Sequence, residues 1–261
     1  MKSNRFWIII ILLLGSVLRL FNLEGFSLTN DELSIITGVK NCINLSDVLN
    51  KGVKTDGHTA FLAIFVFVIG KLFGWGAMAL RLPMVIFGIA SIWYSYLIGK
   101  KWFNPTIGLA LAGMITCLEF SLINSQIVRP YSPGFFFYLS FIYYWSVFLF
   151  DKPINKSWII FLVSLFAALG ASTHYFCALS VGITGILGLF YLAKETWKGY
   201  LFIGILSLIL VSPNWIVLMN QLSSEKVVSW IGYSSAHFIF THIMYVLNNS
   251  FMVLLACLLP F

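Results

Sequence analysis

Residues 6–22 read FWIIIILLLGSVLRLFN, an apolar run long enough to cross a bilayer as a helix. Seven more runs of similar length follow it along the 261-residue chain. Hydrophobic residues make up 60% of the sequence and charged residues 10%, whereas a soluble domain has about 45–50% and about 25%. The runs are continuous rather than alternating, which indicates helices and not a β-barrel. The sequence therefore predicts an all-α, polytopic transmembrane helix bundle.

The eight predicted spans are connected by short polar turns, with one long exception at residues 22–59. A ninth apolar run begins near residue 250, and the sequence ends inside it. We therefore expect eight or nine spans in a single transmembrane module covering 1–261, with a C-terminal part of the protein missing. The predicted spans are 6–22, 60–76, 82–99, 105–123, 133–150, 157–173, 176–193 and 199–217.

Charge along the chain predicts the orientation of the bundle. Four short polar islands are net basic, and Lys and Arg flanking spans favour the cytoplasmic side. The long segment 22–59 is net acidic, so we expect it outside, in an inner or plasma membrane. Two full spans between residues 59 and 100 conflict with this scheme, so either one of 60–76 and 82–99 does not cross or the charge rule fails there. The basic islands are Lys2/Arg5, Lys100/Lys101, Asp151/Lys152/Lys156 and Lys194/Glu195/Lys198.

Two adjacent acids stand out in the external segment, within LTNDELS at 28–34. Thr29 and Glu32 fit the capping box that begins a helix, and acids in a first helical turn suit the helix dipole. The competing interpretation is catalytic, with Asp31 and Glu32 as carboxylates at the membrane surface. The two are compatible, because a capped helix end also fixes a carboxylate in place.

Five further polar residues fall at the same predicted outer face. Asp56 and His58 precede the second run, Arg129 and Tyr131 lie between the fourth and fifth, and His174 lies in a tight turn after the sixth. An outer arginine runs against the positive-inside trend, so it favours an anionic partner such as a phosphate, which guanidinium binds bidentately. The structural alternatives are solvated flanks, a snorkelling arginine and an interfacial aromatic belt. We take these five as candidate substrate-binding residues.

Several functions lack support in the sequence. No G-x-G-x-x-G motif opens a helix after a strand and no G-x-x-x-x-G-K-[ST] motif occurs, so an activated donor would have to be carried by a lipid. The net charge of +7 comes with membrane-flanking lysines and does not indicate nucleic acid. The four cysteines form no metal or disulfide pattern. The acids and histidines allow a divalent cation, but no spacing requires one.

The order of the polar segments resembles the GT-C membrane glycosyltransferases, in the superfamily of protein O-mannosyltransferases and aminoarabinose transferases. The resemblance covers about residues 15–180. It departs from the family where Pro-Pro would follow His58 and where Ile127 replaces a Glu. The matching motifs are Asp31-Glu32, His58-Thr59-Ala60-Phe61, Ala79-Leu80-Arg81-Leu82-Pro83, Gly99-Lys100-Lys101-Trp102-Phe103, Gln126-Ile127-Val128-Arg129-Pro130-Tyr131 and His174-Tyr175-Phe176.

The resemblance implies transfer of a sugar from a polyprenyl-phosphate carrier to a lipid, glycan or protein acceptor at the outer face, with inversion. It implies Asp31 as the base, with Glu32 beside it, and a cation for the leaving phosphate at Arg129, helped by His58 or His174. A GT-C glycan ligase or polymerase is the nearest alternative. A transporter or flippase is the alternative outside enzymes, although transporters tend to have midplane polar sites and internal repeats, which we do not find in this sequence.

Overall fold

The computed structural model describes residues 2–53, 59–151, 153–222 and 237–258. In these residues the chain forms fourteen α-helices and no strand, which confirms the all-α prediction. Segments 54–58 and 223–236 lie outside the described residues. The helices are α1 (Lys2–Leu20), α2 (Asn30–Lys40), α3 (Leu45–Asp47), α4 (Ala60–Phe73), α5 (Ala77–Trp102), α6 (Pro105–Cys117), α7 (Glu119–Asn124), α8 (Tyr131–Phe150), α9 (Lys156–Thr173), α10 (Tyr175–Gly188), α11 (Trp197–Val211), α12 (Pro213–Leu222), α13 (Phe238–Val246) and α14 (Phe251–Leu258).

Three described helices, α5, α8 and α9, are long and apolar enough to cross a membrane. A fourth crossing results if α11 and the start of α12, bent by 60°, count as one span. Helices α4, α6 and α10 are apolar but shorter. The predicted runs 105–123 and 199–217 are both broken, the latter beside Pro213, whose ring and missing N–H disfavour a continuous helix. The structure thus supports a membrane bundle but does not confirm the predicted number of spans.

The two ends of the bundle are distinguished by their side chains. At one end, Lys101 pairs with Asp151 and Lys156 Nζ donates to Glu195 O at 3.0 Å; we call this the lysine end. Ile8 packs in the same cluster as Tyr96, which places the start of α1 near this end as well. The opposite end carries α2, and we call it the loop end. The described members of the four basic islands therefore gather at one end, as the predicted orientation requires.

Helix α4 explains the conflict in the predicted topology. Its 14 residues span roughly 21 Å, short of the bilayer's hydrocarbon thickness of about 30 Å. At its start, Ala60 N donates to Asn214 Oδ1, and Asn214 Nδ2 donates to Ser172 Oγ at the loop end of α9. Only residues 74–76 separate its end from α5, which begins at the loop end. Because α4 begins and ends at the same end, the structure favours the predicted alternative in which 60–76 does not cross the membrane.

Helices α2 and α4 form a platform at the loop end. Ile35, Ile36 and Val39 of α2 are buried in one cluster with Leu62 and Val66 of α4. Burying each such side chain stabilises the fold by about 1.5–3 kcal/mol. This packing holds the start of α2, and with it Asp31 and Glu32, against the end of the bundle.

The break between α6 and α7 is stabilised by side chains from distant parts of the chain. Leu118 adopts an extended conformation there. Ile115 O accepts a hydrogen bond from Arg19 Nη2 at 2.8 Å, and Glu119 N donates to Asn248 Oδ1 at 2.8 Å. Backbone groups released by the break thus have partners, as buried polar groups require.

Candidate active site

The predicted capping box is present at the start of α2. Glu32 N donates to Thr29 Oγ1 at 3.2 Å, while Thr29 N and Thr29 Oγ1 donate to Glu32 Oε2 at 2.9 and 3.1 Å. Reciprocal bonds of this kind satisfy two N–H groups that a helix start leaves without partners. The capping interpretation of LTNDELS is therefore confirmed for Thr29 and Glu32.

Arg81 binds the Glu32 carboxylate with both sides of its guanidinium. Arg81 Nε donates to Oε1 at 2.8 Å and Nη2 donates to Oε2 at 2.7 Å. The Arg81 and Glu32 side chains are 3% and 0% exposed, so the pair is shielded from water. Such charge-assisted bidentate bonds are roughly twice as strong as neutral ones.

Arg81 also binds the backbone of the segment that connects α1 to α2. Its guanidinium donates to the backbone carbonyls of Leu23, Phe26 and Ser27 at 2.9, 2.9 and 3.1 Å. In the sequence, Arg81 stands out only as part of a motif at the edge of a predicted span. Its position beside an apolar run gives no signal that it pairs with an acid 49 residues earlier.

The Glu32 carboxylate also binds the segment between α7 and α8. Val128 N donates to Glu32 Oε1 at 3.0 Å, and the next residue, Arg129, donates from Nη1 to Asp31 O at 3.1 Å. Arg129 is 5% exposed. Glu32 therefore acts as a hub that brings the predicted base and the predicted phosphate-binding arginine together from positions 98 residues apart.

The protonation of Glu32 follows from these contacts. Burial by itself would raise the pKa of Glu32, but the hydrogen bonds from Arg81, Thr29 and Val128 outweigh it, so the pKa lies below its usual value of 4.5. Both carboxylate oxygens are occupied by protein donors. The geometry thus gives Glu32 a positioning role.

Asp31 occupies the second position of the first turn of α2 and is exposed. Its carboxylate makes no hydrogen bond or ion pair with the residues that the structure describes. A carboxylate on a capped helix start, open to solvent, is suited to accept a proton from a bound hydroxyl.

Tyr131 and His174 lie close to each other. Their ring centroids are 5.9 Å apart, and Tyr131 directly follows the segment of Val128 and Arg129. His174 Nδ1 accepts a hydrogen bond from Phe176 N at 3.2 Å, which caps α10. With Nδ1 as an acceptor, the proton of the neutral ring is on Nε2, which can donate to an anion.

Asp56 and His58 lie outside the described residues, so their predicted contact with the other site residues stays a prediction. Among the described residues no cluster of three or more His, Cys, Asp or Glu side chains could hold a metal ion.

Comparison with known proteins places the chain in a family. Residues 58–217, more than half of the sequence, match the model for dolichyl-phosphate-mannose-protein mannosyltransferase. The chain belongs to this mannosyltransferase family. It is therefore a membrane glycosyltransferase of the GT-C type, as the motif order predicted. A search of curated proteins finds no match.

The mannosyltransferase match covers some of the candidate site residues and leaves out others. It contains Arg81, Arg129, Tyr131 and His174, whereas the acidic pair at 31–32 lies before its first residue. The contacts of Glu32 therefore matter, since they join the segment outside the match to two arginine-bearing segments inside it.

An apolar groove lies between α9, α10, α11 and α12 of this mannosyltransferase-family chain. Its volume is about 270 Å³. Alanine, valine and leucine side chains form most of its wall, and Thr59, Tyr175 and Asn214 supply polar groups. The Thr59 hydroxyl is buried and has no hydrogen-bond partner within the described part of the chain. Tyr175 follows His174, so the groove begins next to the candidate site.

Proposed function

We propose that this chain transfers a sugar from a polyprenyl-phosphate carrier to an acceptor hydroxyl at the outer face of its membrane, with inversion at the anomeric carbon. The family is named for a sugar carried by a lipid phosphate. The absence of nucleotide-binding motifs supports a lipid-borne donor. The cluster of polar groups at one end, beside an apolar groove, supports a reaction at the membrane surface.

Asp31 is the proposed base. As the acceptor oxygen attacks C1 of the sugar, its proton passes to the Asp31 carboxylate and the bond from C1 to the phosphate oxygen breaks. General base help contributes typically 10²–10⁴-fold to such a step, which is about 3–5 kcal/mol of barrier. Exposure of Asp31 leaves room for the acceptor.

Arg129 is the proposed partner of the leaving phosphate. Its guanidinium is held beside the Asp31 backbone, so base and cation face the same small region. Negative charge develops on the phosphate as the bond to sugar breaks, and a fixed guanidinium stabilises that charge more than it stabilises the ground state. His174, through Nε2, and Tyr131 complete the proposed phosphate and sugar contacts, together with Asp56 and His58.

The groove between α9 and α12 is the proposed seat of the carrier's hydrocarbon chain. Its walls are mostly apolar, and its volume of about 270 Å³ holds several isoprenoid carbons. Glu32 and Arg81 take no part in the chemistry in this scheme. They hold Asp31 and Arg129 in fixed relative positions. This matters because small displacements of catalytic groups lower the reaction rate by large factors.

The observation that carries this proposal is the hydrogen bond from Arg129 Nη1 to Asp31 O. The test replaces Asp31 with Asn and measures sugar transfer and donor binding by the full-length protein. We expect a loss of transfer of about 10²–10⁴-fold with donor binding retained. Asp47→Asn, at another acid of the same external segment, is the control and should keep activity. Full turnover by Asp31→Asn would exclude Asp31 as the base.

A further inference from the structure

A second cavity lies on the other side of Tyr131, bounded by α5, the break between α6 and α7, α8 and α13. Its volume is about 330 Å³ and its surface is largely apolar. It is separate from the groove between α9 and α12, with which it shares no lining residue. Its wall includes Gly88, Ile115, Ser121, Tyr131 and Val246.

A buried guanidinium lies directly behind this wall. Arg19 is 0% exposed, and Nη2 donates to Ile115 O at 2.8 Å and Ser121 Oγ at 3.0 Å, both of which belong to lining residues. A Cβ on Gly88 would be 3.0 Å from Arg19 Nε, so the guanidinium also abuts the wall at α5.

No acid in the described part of the chain compensates the charge on Arg19. Its acceptors are the carbonyls of Gly15 and Ile115 and the Ser121 hydroxyl. Within the described ranges Arg19 forms no ion pair, and its Nε has no hydrogen-bond partner. A buried charge without a counter-charge is costly, so a site next to it favours an anion.

Ser121 connects the Arg19 guanidinium to the cavity through a hydrogen bond. Its oxygen accepts from Arg19, and in the described residues its own O–H donates to no other group, so that proton is available to a ligand in the cavity. A donor polarised by a neighbouring cation forms a stronger hydrogen bond to an anion than an isolated hydroxyl. The cavity thus combines apolar walls with one positively polarised end.

We propose that this cavity binds an acidic phospholipid, with an acyl chain against the apolar walls and the anionic head group hydrogen-bonded to Ser121, in front of the buried Arg19 guanidinium. The site shares no lining residue with the carrier groove, although Tyr131, a proposed sugar contact, lies in its wall, and it does not rest on the proposed reaction. Helix α13 supplies Val246 to its wall, and Asn248 fixes this segment to the α6–α7 break. Both residues lie beyond the family match at 58–217.

The first test measures phospholipid binding to the full-length protein in nonionic detergent by native mass spectrometry, with phosphatidylglycerol and phosphatidylcholine as probes. We expect one phosphatidylglycerol bound in preference to phosphatidylcholine. Arg19→Met should weaken phosphatidylglycerol binding about tenfold, or about 1.4 kcal/mol, and leave phosphatidylcholine unchanged. Arg5→Met removes an exposed arginine from the other end of α1 and is the matched control. Equal losses in both variants would refute a specific site.

The second test fills the cavity without touching Arg19, in case Arg19→Met fails to fold. Val246→Trp should abolish selective phosphatidylglycerol binding, whereas Ile243→Trp, at an exposed position of the same helix, should retain it. Unchanged binding in Val246→Trp would overturn the proposal. So would displacement of the phospholipid by polyprenyl phosphate, which would make this the carrier site, or by inorganic phosphate alone, which would make the ligand a free anion.

Discussion

Replacing Glu32 with Gln tests the hub that joins segment 22–59 to the bundle. The substitution keeps the volume of the side chain but turns one acceptor oxygen into an NH₂ donor. If the amide oxygen takes the place of Oε1, the new NH₂ faces the donors that now bind Oε2, on Thr29 and Arg81. The Arg81 charge, 3% exposed, also loses its counter-ion.

The expected cost follows from these contacts. Removing one partner of a buried ion pair typically costs about 3–5 kcal/mol, and three hydrogen bonds to Oε2 at about 1 kcal/mol or more each give a similar sum. For a chain of this size, 1 kcal/mol shifts the unfolding temperature by about 2–4 °C. We therefore expect the thermal midpoint of the purified full-length protein to fall by roughly 6–20 °C.

The assay is thermal unfolding in detergent, followed by intrinsic tryptophan fluorescence. Glu24→Gln, at an exposed acid in the same segment, is the control and should change the midpoint by less than about 1 °C, since exposed substitutions have small effects. A Glu32→Gln midpoint equal to that of Glu24→Gln would refute the hub.

The same hub predicts a pH dependence with a definite sign. The pKa of Glu32 is lowered in the folded protein, so its contribution to stability is fully present above its usual value of 4.5. It is lost as pH falls below that value and through the folded pKa. The midpoint difference between wild type and Glu32→Gln should therefore shrink on acidification below about pH 4.5 and stay constant between pH 6 and 8. A difference that grew on acidification would contradict the assignment.

Three further predictions concern the donor and the orientation of the bundle. Arg129→Ala should weaken binding of a polyprenyl-phosphate donor more than binding of the acceptor, and equal effects on both would rule out a phosphate role. Gly182→Leu should raise the KM for a long-chain carrier by filling the groove, because a Cβ at Gly182 meets no neighbouring atom; Gly204→Leu, equally open but outside the groove, should not. A cysteine at Lys40 should be labelled by an impermeant reagent from outside the cell and one at Lys198 should not, and the opposite pattern would invert the predicted orientation.

Local sequence patterns were sufficient for the class of fold and for part of the site. Apolar runs such as 133–150 and 157–173 match α8 and α9 within two residues, because a helix in lipid must satisfy its own backbone and be apolar throughout. The capping box at Thr29 and Glu32 was equally readable, since its two partners are three residues apart. Motif order also identified the family, which the match at 58–217 confirmed.

What the sequence could not determine are the contacts between distant segments. Nothing near Arg81 indicates that it binds Glu32, nothing near Arg19 indicates that it supports the break in the fourth predicted membrane run, and the apolar helix α4 looks like a span although it returns to the end where it began. Composition alone does not distinguish an apolar helix that crosses the bilayer from one that packs on its surface. Only the tertiary structure decided these points, because they depend on which buried charges and backbone groups meet across the bundle.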